Sequence, residues 1–151
     1  MFFWNTSRLA DSIKANGLSE SNKKDYYIGS SVLSLIVMYI AILTGAENKY
    51  MLLATGMLSL IVILFGINIT FKTNGGEEGK DYIARVVMLS FPLLIKIYLF
   101  TFLVAILLGI ASYLLLGNNT AVSEWITLLI TFAYQAFFFW RLNVHLGRIN
   151  S

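Results

Sequence analysis

The sequence holds few residues that could do acid–base, nucleophilic or metal chemistry. It has no cysteine, and His145 is its one histidine. Enzymatic proton transfer and metal binding both need His, Cys, Asp or Glu side chains grouped at one place. The eight acidic residues are scattered along the chain, and the sequence specifies no partner for His145. We therefore predict a protein that is not an enzyme, with no catalytic residues, no metal site and no cofactor.

A glycine-rich segment looks superficially like a phosphate-binding loop. Such a loop has four residues between its glycines and a Ser or Thr after its lysine. Here only three residues separate Gly75 from Gly79, and Asp81 follows the lysine. A turn whose glycines adopt positive φ is the better interpretation. The alternative is a partner-docking loop formed by Gly75, Gly76, Glu77, Glu78, Gly79 and Lys80.

Polar residues recur at helical spacing within otherwise apolar sequence. Four-residue steps place Thr127, Thr131 and Gln135 on one helix face, and Asn68 lies near the end of another apolar segment. Polar side chains in membrane helices bond neighbouring helices, at about 0.6–2 kcal/mol each. Our main interpretation is that these four residues hold a helix bundle together. The alternative is that they line a pore.

Two cations could contact a lipid phosphate or another anion. Arg85 and Lys96 are eleven residues apart, so one helix face carries both. We predict that this face points toward water. Lys96 would then lie near a membrane surface, where its long stem lets the charge reach the headgroups. A lipid-phosphate or anion site at Arg85 and Lys96 is the alternative.

The composition identifies an integral membrane protein. Hydrophobic residues make up 58 % of the 151 residues and charged residues 13 %, about half the charged share of ordinary soluble domains. About 20 apolar residues in a helix cross a bilayer. We predict an all-α integral membrane protein in one domain, 1–151, with four transmembrane helices at 26–44, 50–71, 93–116 and 122–142.

The segments between the spans have distinct characters. We predict that residues 1–25 form a cytoplasmic tail with an amphipathic helix on the membrane surface. Residues 72–81 form the glycine-rich loop, and 143–151 a second cytoplasmic tail. Pro92 disfavours helical geometry at the residue before it. We therefore expect an interfacial helix at 82–91 that ends before the third span.

Basic residues predict the orientation, because Lys and Arg are retained on the cytoplasmic side. Ten of the eleven lie in or beside the two tails and the glycine-rich loop, and Lys49 alone lies on the other side. Both termini and the loop should therefore face the cytoplasm, most simply across a bacterial inner membrane. Two short turns, Glu47–Lys49 and Gly117–Thr120, would face outside.

These observations favour a non-enzymatic membrane scaffold or subunit. Small residues four apart, such as Ala105 and Gly109, let helix backbones approach closely. The expected partners are membrane lipids and either another copy of the chain or a membrane or cytoplasmic protein. A nucleic acid is excluded, because no basic stripe with interleaved aromatics exists. The alternative function is a homo-oligomeric channel or membrane-perturbing effector of a bacterial stress or phage-defence system.

Overall fold

A computed structural model describes residues 4–15, 17–44, 49–116 and 120–150 of the chain. All regular structure within these ranges is helical, which confirms the predicted all-α class. Most of the two predicted turns lies outside the described residues, and their last residues, Lys49 and Thr120, are the first residues of helices. The helices are α1 (Thr6–Lys14), α2 (Glu20–Thr44), α3 (Lys49–Thr73), a short 3₁₀ turn (Gly76–Glu78), α4 (Tyr82–Leu116) and α5 (Thr120–Asn150).

Three stretches of the described chain are long and apolar enough to cross a membrane. They are Lys49–Thr73 in α3, Tyr82–Ala111 in α4 and Glu124–Asn150 in α5. Each has at least 25 residues, which exceeds the roughly 20 that a bilayer requires. These three helices are therefore compatible with a protein that is embedded in a membrane.

The break predicted at Pro92 is wrong. One helix runs without interruption from Tyr82 to Leu116, with Pro92 inside it. Proline removes one backbone donor, but membrane helices tolerate it where neighbouring helices and hydroxyl side chains support the backbone. Phe91 and Pro92 are buried, and the Phe91 ring packs against Tyr26 and Gly29 of α2. Tertiary packing at this point outweighs the local preference of proline.

α5 is the central helix of the bundle. It packs against α3, α4 and α1, and α4 also contacts α2 and α1. α3 and α5 are parallel, because Ser59 bonds Gln135 and, farther along both helices, Gly66 contacts the ring of Phe139. α4 runs the other way, because Arg85 near its start bonds Asn150 at the end of α5. The end of α3, the start of α4 and the end of α5 therefore lie together.

The buried core lies at this same end, which we call the α1 end. Its members come from four helices, and most large apolar side chains farther along α3, α4 and α5 are exposed. Lipid chains would cover those exposed surfaces in a membrane. The core residues are Leu9, Ala10, Ile13, Tyr26, Met88, Leu89, Phe91, Leu93, Leu142, Leu146 and Ile149.

α1 packs against protein through the face that we expected to enter the membrane surface. Leu9 and Ala10 are each 0 % exposed, against α4 and α5. The Arg148 guanidinium donates two hydrogen bonds to the Asp11 carboxylate, at 2.6 and 2.7 Å. Asn5 caps the helix by accepting from the Arg8 amide at 3.0 Å. The apolar face of α1 is thus covered by the bundle, which corrects the prediction.

Candidate functional site

An apolar cleft of about 630 Å³ opens between α4 and α5. Its residues recur at three- and four-residue steps, so one continuous face of each helix forms each wall. Apolar and aromatic side chains supply most of the lining. The residues are Leu93, Lys96, Ile97, Phe100, Thr101 and Val104 of α4, and Ile130, Ala133, Tyr134, Phe137 and Arg141 of α5.

Both charged residues of the cleft lie at its α1 end. α4 and α5 are antiparallel, so Lys96 lies opposite Arg141 and Val104 opposite Ile130. The Lys96 ammonium donates to the Thr6 hydroxyl at 3.0 Å and lies 5.6 Å from the centre of the Trp4 ring. Neither cation forms an ion pair with a carboxylate of the described residues. The cleft is therefore cationic at one end and apolar along the rest.

His145 lies one turn beyond Arg141 on α5. Its side chain is 3 % exposed, and neither ring nitrogen has a hydrogen-bond partner among the described residues. Lys96, Arg141 and Arg148 are its electrostatic neighbours. α5 continues as a helix to Asn150, where we predicted a polar tail, and this continuation places the imidazole inside the α1 end.

The polar residues predicted to act together on α3 and α5 make different contacts in the structure. Gln135 donates to the Ser59 hydroxyl at 2.9 Å, across the contact between α3 and α5. Thr131 donates to the Thr127 carbonyl of its own helix at 2.9 Å. Asn68 is exposed and donates to its own helix, on the opposite face of α3 from the Gly66 contact with α5. The structure therefore separates Asn68 from the other three residues.

Arg85 and Lys96 share a helix face, but that face contacts protein and does not point toward water. The Arg85 guanidinium donates to the side-chain oxygens of Asn74 at 3.0 Å and Asn150 at 2.8 Å. Lys96 instead contacts α1 through Thr6. Arg85 thus ties the glycine-rich loop to the end of α5, and the two cations do not form one anion site.

The glycine-rich loop is an ordered turn. Gly75 and Gly76 have φ values of 101° and 60°, which confirms the positive φ predicted for this loop, and Gly79 is extended with φ −70°. The amides of Glu78 and Gly79 donate to carbonyls within the turn, so they are not directed at a phosphate. Asn74 is buried and donates to the Lys80 carbonyl at 3.3 Å.

This turn leaves three charges on its outer surface. Glu77, Glu78 and Lys80 are exposed. A Cβ added to Gly79 would overlap the Asn74 carbonyl oxygen, so the loop backbone lies directly on the end of α3. A docking role for the loop stays a prediction, and these three side chains are the part that a partner could contact.

Comparison of the chain with known protein families, curated proteins and solved structures gives no match. Function is therefore inferred from the residues of this chain. The cleft is the feature that sequence reasoning missed. Lys96 and Arg141 were each recognisable as single charges in apolar sequence, but only the antiparallel packing of α4 and α5 makes them a pair.

Proposed function

We propose that the chain is a non-enzymatic membrane subunit that crosses a bacterial inner membrane four times. α2 is 25 residues long and would add the fourth span to the three long apolar helices. The tertiary structure supports this topology, because α1, the glycine-rich loop and the end of α5 lie at one end of the bundle. Those are the segments rich in Lys and Arg, so they would face the cytoplasm.

Single cysteines test the topology cleanly, because the chain has none of its own. Tyr50 is 87 % exposed at the start of α3, and Glu78 is exposed in the glycine-rich loop. In spheroplasts that expose the outer face of the inner membrane, we expect an impermeant thiol reagent to label Tyr50→Cys. Glu78→Cys should react only after the membrane is opened. Labelling of Glu78→Cys before opening would contradict the orientation.

The proposal that the subunit assembles with a second copy or a membrane partner rests on an unused small-residue face. A Cβ added at Gly109 meets nothing within 4 Å, and Ala105 and Gly109 are both exposed on α4. At Gly66, by contrast, the equivalent space is filled by the ring of Phe139. Small residues that are exposed in this way leave room for another backbone to approach.

Gly109→Leu should weaken this assembly at least tenfold, because the side chain would hold a second helix away. Native mass spectrometry of the protein in mild detergent would measure the change. Leu107→Phe is the matched control, since Leu107 is exposed and lies two residues away on the opposite face of α4. A wild-type chain that is strictly monomeric, with no co-purifying protein, would overturn the proposal.

The geometry gives less support to the alternative of a channel or membrane-perturbing effector. A pore needs a continuous polar wall, whereas Gln135 already bonds Ser59 and Asn68 lies on another face. Thr131 faces a narrow space between α3 and α5, lined also by Thr55, Ser59 and three apolar residues. Assembly is therefore the function that we propose.

A further inference from the structure

We propose that the cleft between α4 and α5 binds one anionic phospholipid. Its phosphate would contact Lys96 and Arg141, and one acyl chain would lie along the apolar walls toward Val104 and Ile130. This inference rests on the membrane placement proposed above and adds a defined ligand to it. It does not depend on the assembly of several copies.

The dimensions of the cleft fit an acyl chain. Val104 follows Lys96 by eight positions, and Arg141 follows Ile130 by eleven, so the walls extend about 12–17 Å along the helix axes. The volume of about 630 Å³ lies within the roughly 300–1,000 Å³ of small-molecule sites. Phe100 and Phe137 on opposite walls offer the apolar surface that a hydrocarbon chain requires.

The charges of the cleft call for an anion at one end. Cations within membrane helices are costly unless they are paired or reach the surface. Lys96 and Arg141 are both partly buried, and neither pairs with a carboxylate of the described residues. Arginine binds phosphate through two parallel donors, and lysine adds a mobile point charge. A phosphodiester between the two would neutralise this end of the cleft.

The contacts around Lys96 hold its ammonium in place. Thr6 and Trp4 approach it from the α1 side, and α1 is itself fixed by Asp11 and Arg148. His145 is buried at this end, and neither cleft cation forms an ion pair with a carboxylate in the part of the chain that the structure describes. The α1 end therefore presents net positive charge to whatever occupies the cleft.

A lipid fits this charge pattern better than a helix from a second copy would. A second copy would need to bring a carboxylate to the level of Lys96 and Arg141. The acidic residues of α2, Glu20 and Asp25, precede the span proposed at 26–44, and the three candidate spans contain one acidic residue, Glu124. It begins the last of these spans, seventeen residues before Arg141 and so near the other end of α5. An anionic lipid brings the missing charge and the chain together.

The test compares phosphatidylglycerol with phosphatidylcholine of identical chains, titrated into the detergent-solubilised full chain and counted by native mass spectrometry. We expect one phosphatidylglycerol per chain, bound at least tenfold more tightly than phosphatidylcholine. Lys96→Gln with Arg141→Gln should abolish this preference. Lys72→Gln with Lys80→Gln removes the same charge at two exposed positions outside the cleft and should leave it unchanged.

A second arm tests the acyl-chain part of the site. Val104→Trp fills the apolar end without altering charge and should weaken phosphatidylglycerol binding at least tenfold. Phe102→Trp is its control, because Phe102 is exposed on the opposite face of α4. Soluble glycerol phosphate, which carries the headgroup charge alone, should not compete at concentrations that match the lipid.

Any one of four outcomes would overturn the lipid site. Equal binding of the two lipids removes the role of the cations. Competition by glycerol phosphate, or full binding by Val104→Trp, reduces the site to a headgroup contact. If the lipid binds the monomer but is released when copies assemble, a second copy is the natural occupant of the cleft. None of these outcomes would change the cysteine-labelling pattern, so failure of the lipid site is distinguishable from failure of the proposed membrane topology.

Discussion

Leu9→Asp should release α1 from the bundle. Leu9 is 0 % exposed within the core that α1 forms with α4 and α5. A carboxylate buried among these apolar side chains costs several kcal/mol when no cation pairs with it. Loss of the apolar contact adds about 2–5 kcal/mol, the usual cost of truncating a buried leucine. A nine-residue helix is too short to be stable alone, so α1 depends on this contact with the bundle.

Thiol accessibility at Ala10 measures this release directly. Ala10 is fully buried beside Leu9, so the thiol of Ala10→Cys in the otherwise unchanged chain should react slowly. Adding Leu9→Asp should raise its labelling rate more than tenfold. Ala15→Asp introduces the same charge at an exposed residue just after α1 and should not raise the rate. Equal protection of the introduced thiol with and without Leu9→Asp would show that α1 does not pack as described.

Gly66→Ala should destabilise the contact between α3 and α5. A Cβ at residue 66 would overlap the ring of Phe139, so one of the two helices or the ring must move. Overpacking of this kind costs about 1–3 kcal/mol. It would also strain the hydrogen bond from Gln135 to Ser59, two turns away on the same interface. The midpoint of thermal unfolding in detergent should fall by several degrees.

A double-mutant cycle with Phe139→Ala isolates this clash. Phe139→Ala alone loses packing, but together with Gly66→Ala it leaves room for the new methyl group, so the two costs should not add. Gly56→Ala is the control, since a Cβ there meets nothing within 4 Å. Strict additivity of the two substitutions, or equal effects at Gly56 and Gly66, would contradict the close approach of α3 and α5.

Hydropathy alone was sufficient to predict apolar helices long enough to cross a membrane. A backbone in lipid must satisfy its own hydrogen bonds, so long apolar runs have few structures available to them. The positive φ at Gly75 and Gly76 was also predictable, because glycine is the residue that adopts it without steric cost. Both are local properties, and local sequence is enough for them.

Pro92 and α1 show where local rules stop. Pro92 disfavours a continuous helix, yet buried neighbours hold α4 together across it. The apolar face of α1 is equally suited to lipid or to protein. The sequence of α1 alone does not predict which of the two covers it. The bundle covers it because the ends of α4 and α5 offer a complementary apolar surface and Arg148 offers a partner for Asp11.

Hydropathy and backbone sterics thus account for the class of the molecule, its long apolar helices and the position of its glycine turn. Which charges meet is settled only by the packing of the helices. Lys96 and Arg141 are 45 residues apart in the chain, and they share one cleft only because α4 and α5 are antiparallel in a particular register. That register depends on packing across the whole α1 end, which no short stretch of sequence encodes.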